Sequence, residues 1–252
     1  LGIPVEDFNP MVVDTDTVGF TEGTGGSRTT FATGWAAIEA ARDIKSQMIE
    51  RAAQIWDIDK ETVYYENGFV KAPGHQMSFK ELAAELGSTG GLIVGKSTIT
   101  PAGEGGAFAG NIVDIEVDPE TGKIDILRFT AIQDVGTAVH PSYVEGQMQG
   151  GSVQGIGWAL NEEYFMTDEG RMANSTLLDY RMPISMDVPL IDTVIVEVPN
   201  PGHPFGVRGI GESPLVPPLA AVANAVHDAT GIRMLNLPMS PGIVKSAIDN
   251  QE

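Results

Sequence analysis

The sequence predicts an α+β fold, with mixed or antiparallel sheets and long packing helices. Three observations predict it. Residues 112–118 and 123–129 each alternate apolar with polar, and they flank an Asp118-Pro119-Glu120-Thr121-Gly122 turn, so they form an adjacent hairpin. A long stretch with apolar residues at helical spacing precedes that hairpin, and a second long helix, started by Pro141, follows it. The helices and strands are interspersed without the strict alternation of a βαβ array.

Taken in order, residues 11–18 alternate enough for a strand. A loop rich in glycine, threonine and serine follows, and then a helix over about 31–55, where Ala37, Ile38, Ala41, Ile44, Met48 and Ala52 recur at helical spacing. Residues 63–71 read as a hairpin turning at Asn67-Gly68. Ser78-Phe79-Lys80-Glu81 has the form of a capping box and opens a short helix to about Leu86. The second strand of the central hairpin runs on to Asp134-Val135-Gly136. Pro141-Ser142 starts a helix over about 142–160 that contains glycines 146, 150, 151, 155 and 157. Each costs about 1 kcal/mol relative to alanine, so they imply close packing against backbone or a ligand. A strand over 191–198, a helix over 214–230 opened by Pro214, and a last helix over 241–248 complete the chain. The expectation is one domain over 1–252, with room for two subdomains divided near 105–140 and 190–210.

A chain of 252 residues that is 42% hydrophobic can bury a sizeable core. No apolar run reaches the roughly 20 residues of a membrane span. The net charge of −19 would repel nucleic-acid phosphates and anionic lipid, so neither is an expected partner. The absence of cysteine excludes disulfides, thiolate-bound zinc and iron–sulfur clusters from this chain. It suits a cytoplasmic location. His75, His140, His203 and His227 show no metal-ligand spacing and read as surface or turn residues. The opening Leu1-Gly2-Ile3-Pro4 reads as the middle of a connection, as in a fragment or a processed subunit.

Three segments could carry chemistry. In the first, Gly25-Gly26-Ser27-Arg28-Thr29-Thr30, amides and hydroxyls precede a long helix, an arrangement that suits an anion and equally suits an ordinary helix cap. It lacks a phosphate-loop lysine, which argues against a generic nucleotide-binding domain. The second, 145–157, sets Gln147, Gln149 and Gln154 among glycines. These amides could meet a heterocyclic ring, or lie on the wet edge of a packed helix. The third is Gly206-Val207-Arg208-Gly209-Ile210-Gly211-Glu212-Ser213-Pro214. Here a lone carboxylate ends a glycine loop just ahead of a helix, where it could serve as a general base. Judged by this segment alone, a turn whose glutamate faces water or caps the helix is the favoured reading.

Together, in this order, the motifs resemble a known family. The segments that carry the resemblance are Gly25–Thr30 with Gly34-Trp35-Ala36, 117–123, Asp134-Val135-Gly136 with His140-Pro141, Glu145-Gly146-Gln147, Gln154-Gly155-Ile156-Gly157, and Gly209–Pro214. From about residue 5 to 248 the chain is similar to the C-terminal half of the molybdenum-binding subunit of the xanthine dehydrogenase, aldehyde oxidase and carbon monoxide dehydrogenase family.

The resemblance implies a molybdenum-dependent oxidoreductase component acting on a heterocycle, aldehyde or similar small molecule, with water as the oxygen source. Glu212 matches the active-site glutamate, the base that takes a proton beside the metal. Gly25, Gly26, Ser27, Arg28, Thr29 and Thr30 match the stretch that holds the pterin (molybdopterin, in some members as a cytosine dinucleotide). Gln147 and Gly211 match further cofactor-binding positions, and no protein side chain is expected to ligate the metal. Ser213 stands where proline is common. The implied partners are an N-terminal molybdenum-binding half, and iron–sulfur and FAD subunits or domains, in a multimer of heteromers. This chain alone would then be half of an active site and inactive. The alternative is a non-catalytic module of the same fold that only docks on a partner subunit.

Overall fold

The computed structural model describes residues 1–11, 14–16, 20–101, 103 and 105–251. The chain forms two compact units, Leu1–Thr24 with Ala32–Ala102, and Gly25–Phe31 with Gly103–Glu252.

The first unit is built on α1, Thr29–Trp56, whose first three residues belong to the second unit. Three antiparallel strands follow: β1 (Tyr64–Glu66), β2 (Phe69–Ala72) and β3 (His75–Ser78). Asn67-Gly68 turns the first pair, as expected. The third strand is an addition. Pro73-Gly74 closes a second two-residue turn, with Ala72 paired to His75 and Gly74 at φ 77°. The polar His75-Gln76 pair hides this strand from any apolar alternation. The capping box is present: Ser78 Oγ accepts from Glu81 N (3.2 Å) while Glu81 Oε2 accepts from Ser78 N (2.7 Å), and α2 runs over Phe79–Glu85. Met48, Ala52, Val63, Val70 and Leu82 form this unit's core. Half of the strand expected over 11–18 falls on positions outside the described residues. Residues 15–16 form a turn, with Asp16 N donating to Asp14 Oδ1 (3.1 Å).

The second unit holds the longer sheet, in the order β4 (Phe108–Val117), β5 (Ile124–Asp134) and β6 (Ile191–Val196). β4 and β5 form the expected hairpin. It starts four residues earlier than the alternation suggested, because Phe108 to Asn111 pair with Asp134 to Ala131. At the turn Gly122 N donates to Asp118 O (2.7 Å) and Glu120 N to Asp118 Oδ1 (2.9 Å). β6 runs parallel to β5, from Phe129 beside Ile191 to Asp134 beside Val196. Parallel neighbours need a crossover, and α3 (Pro141–Leu160) lies in that connection. α4 (Val216–Thr230) follows a short 3₁₀ turn, Ser213–Leu215, so Pro214 opens the 3₁₀ turn and not the α-helix itself. α5 covers Pro241–Asp249. Phe129, Met148, Ile156, Val222, Val226, Met239 and Val244 meet in one core of sheet and helices.

The glycines of α3 divide by function. A Cβ at Gly151 would lie 2.9 Å from Pro214 Cβ, and one at Gly155 would lie 2.7 Å from Leu215 O. These two let α3 lie against the segment that follows Glu212. Gly157 faces Glu162 and Pro183 just as closely. Gly146 and Gly150 face open space.

Candidate functional site

Two of the three segments singled out in the sequence come together within the second unit. Ser27, at φ 59°, turns its hydroxyl onto Glu212. Ser27 Oγ donates to Glu212 Oε2 (3.0 Å) and accepts from Glu212 N (2.8 Å). One hydroxyl therefore fixes both the backbone and the carboxylate of Glu212. The side chain makes no helix-capping hydrogen bond, so it does not serve as a cap. Glu212 itself is exposed and Ser27 half-buried. A charge-assisted bond from a hydroxyl restrains such a carboxylate while leaving its other oxygen open to react.

The close approach depends on the glycines. A Cβ on Gly209 would stand 3.1 Å from Ser27 Cβ and 3.2 Å from Ser27 O, and one on Gly211 would stand 3.1 Å from Ser27 Oγ. The loop 25–28 turns on Gly26 and Ser27, both at positive φ, with Arg28 N reaching Gly25 O (3.4 Å). Its far end is pinned by Phe31, which is fully buried and packs on the His203 ring at 4.7 Å. His203 Nδ1 accepts from Phe205 N (3.1 Å), which leaves Nε2 to donate to Phe31 O (3.1 Å). His203 does lie in a turn, as expected, with its N–H on Asn200 O (3.2 Å), but it is a buried anchor and not a surface residue. Its partner lies 172 residues away, and nothing local in Gly202-His203-Pro204 announces it.

The base of the Glu212 loop is tied to the end of β5. Arg208 Nε pairs with Asp134 Oδ2 (3.1 Å), both side chains being nearly buried, and Arg208 Nη1 donates to Gly106 O (2.7 Å). Asp134 Oδ1 accepts from Gly136 N (3.0 Å) and Val198 N (3.1 Å). Gly136, at φ 68°, presses on Gly206 O, where a side chain would overlap that carbonyl. The Asp134-Val135-Gly136 motif is the footing of this loop. Gln133, which the sequence reading missed, is buried beside it and donates to Ser213 Oγ (2.6 Å). Gln133 shares the strand face of buried Phe129 and Ala131, so period two along β5 carries the signal.

Gln147 is exposed on α3, one turn before Gly151 on the face that meets Pro214. Gln149 Nε2 reaches Ile191 O (3.4 Å), the wet-edge arrangement. Thr29 and Thr30 are exposed at the start of α1.

The residues present fit a group held by backbone amides and hydroxyls. Among the described residues, a Cβ at Gly25, Gly146 or Gly150 would meet nothing within 4 Å, so glycine there answers no crowding; Gly26 is equally open, though its positive φ already calls for glycine. Glycine without a neighbour is what close approach of an outside group to the backbone requires. Among the described residues, no three or more His, Cys, Asp or Glu side chains are grouped to hold a metal ion. Also among the described residues, no helix is long and apolar enough to cross a membrane.

The comparisons with known proteins agree with one another. The family model of the molybdopterin cofactor-binding domain matches residues 1–189. The xanthine dehydrogenase molybdenum-binding subunit of Escherichia coli O157:H7 is 34% identical over 250 residues, covering 96% of this chain and 33% of that protein. The carbon monoxide dehydrogenase large chain of Hydrogenophaga pseudoflava is 30% identical over 249 residues, covering 94% and 31%. Among solved structures, Cu,Mo-CO dehydrogenase matches with a TM-score of 0.83 at 27% identity, over 94% of this chain and 31% of that one. Quinoline 2-oxidoreductase from Pseudomonas putida 86 matches with a TM-score of 0.78 at 30% identity, over 90% and 31%. The chain spans about a third of the length of the relatives it matches. With this fold, and a family model that covers most of its length, the chain belongs to the molybdopterin cofactor-binding domain family, in the group of xanthine dehydrogenase and carbon monoxide dehydrogenase molybdenum-binding subunits.

Proposed function

We propose that this chain is the cofactor-binding, C-terminal part of a molybdenum hydroxylase that oxidises a small heterocycle, aldehyde or similar substrate, and that Glu212 is its general base. The observation that carries the proposal is the exposed Glu212 carboxylate, held by Ser27 on a glycine loop beside open-faced backbone. A bound molybdenum–pterin group supplies the two-electron redox chemistry, with the oxygen atom coming from water.

The protein's own part is positional and acid–base. Glu212 keeps one oxygen on Ser27 and presents the other as proton acceptor. The open-faced backbone at Gly25 and Gly26 receives the pterin, and Gln147 offers it an amide. The exposed Thr29 and Thr30 hydroxyls, at the positive end of α1, suit the phosphates of a cytosine dinucleotide form. The rest of the pocket comes from an N-terminal molybdenum-binding half, and electrons leave through iron–sulfur and FAD partners, since this cysteine-free chain supplies no thiolates for a cluster of its own.

The test is Glu212→Gln in the complete complex. Glutamine still accepts from Ser27 but is no base, so turnover falls by at least about a hundredfold while molybdenum stays bound. Near-normal turnover would remove Glu212 from the role, and a native complex without molybdenum would remove the catalytic reading altogether.

A further inference from the structure

Gln133 is 1% exposed, as deeply buried as the apolar core around it. Its Nε2 donates to Ser213 Oγ (2.6 Å), and Ser213 Oγ donates onward to Gly209 O (3.4 Å). Residues on both sides of Glu212 are thereby tied to one side chain of the sheet. Gln133 Oε1 is buried with no hydrogen-bond partner among the described residues. An amide with half its hydrogen-bonding capacity unmet is a poor choice for stability alone, since an apolar side chain of similar shape leaves nothing unmet. Ser213 is also the residue that departs from the proline common in the resembling motif, and a proline there would offer Gln133 no hydroxyl.

We propose that Gln133 is a positioning residue for Glu212. Acting through Ser213 it holds the 209–213 backbone from the sheet side, while Ser27 holds the carboxylate from the other. The proposal rests on Glu212 being the proton acceptor.

The test uses the complete complex carrying Gln133→Leu, Ser213→Ala, both together, or Glu212→Gln. Each of the first two lowers kcat by about tenfold or more with little change in KM, because a misplacement of about 1 Å can cost a hundredfold. Molybdenum content stays at the native level, and amide hydrogen exchange over 209–213 quickens. The double variant is no slower than the slower single, as for two residues acting along one path. Unchanged kcat in both singles, with Glu212→Gln inactive, overturns the positioning role and leaves the base standing. An active Glu212→Gln overturns the base itself. A double variant whose losses multiply shows that Gln133 does not act through Ser213. Loss of molybdenum in both singles makes the pair structural, which also overturns the proposal. If Gln133→Leu fails to fold, Ser213→Ala decides alone by the same readings.

Discussion

Gly209→Ala tests the contact on which the candidate site depends. Gly209 is not among the positive-φ positions, so alanine meets no backbone strain and the cost in the folded state comes from packing. The new Cβ would lie 3.1 Å from Ser27 Cβ, 3.2 Å from Ser27 O and 3.3 Å from Gly26 O. Carbon atoms in packed interiors sit about 3.5–4.0 Å apart, so the loops must part by roughly 0.4 Å or more. No flexible side-chain end is available to swing aside. Overpacking of this kind costs about 1–3 kcal/mol. The loss of glycine freedom in the unfolded chain returns about 0.4–1 kcal/mol, leaving a net loss of roughly 0–2.6 kcal/mol. The parting lengthens both Ser27–Glu212 hydrogen bonds, now 2.8 and 3.0 Å, towards the limit of useful geometry. Urea denaturation measures the stability, and steady-state kinetics of the molybdenum-loaded complex should show a loss in kcat of several-fold up to about tenfold. A variant with native stability and native kcat would refute the close packing of Ser27 on Gly209.

Gly146→Ala and Gly150→Ala meet no neighbour within 4 Å. By helix propensity alone each should stabilise α3 by about 1 kcal/mol. In the assembled enzyme both should lower molybdenum content, and unchanged content would show that the open space is not reserved for the cofactor. Tyr180 donates its hydroxyl to Glu162 Oε2 (2.7 Å), and that bond, helped by burial, pushes the phenol up to about 12. Because the folded value is the higher one, the bond's contribution is whole below the ordinary value of about 10 and is lost as pH rises through the folded value. Ultraviolet titration of wild type against Tyr180→Phe should show the missing phenol among the last to ionise; a difference centred near the ordinary value would contradict the bond.

The sequence announces what is local. The Asp118–Gly122 turn, the Ser78 capping box and the long helices each depend on residues a few positions apart. The hydrophobic pattern places α1, and the prolines at 141 and 214 place the starts of α3 and α4, to within a few residues. The parallel placement of β6 beside β5 has no local signal, because it depends on a whole crossover helix finding its side of the sheet. The Glu212 loop was visible as an unusual string of glycines, but not what the glycines are for. Their function lies in Ser27, Gly26 and Thr137, which approach only in the folded chain. Gln133 was legible in principle from strand period, yet a polar residue in an apolar alternation is easily read as the outward face. The turn around His203 was legible from the glycine and proline beside it, but its burial was not, since its partner Phe31 is distant in the sequence.

Ser27 and Glu212 stand 185 residues apart. Bringing such distant residues together has an entropic cost that only a completed fold offsets. A chain still emerging from synthesis carries every residue of the first loop and no carboxylate to meet it. Closure of the Ser27–Glu212 contact is therefore a late event in the folding of the chain, and a cut between the two residues leaves their pairing to depend on how firmly the severed pieces stay folded together.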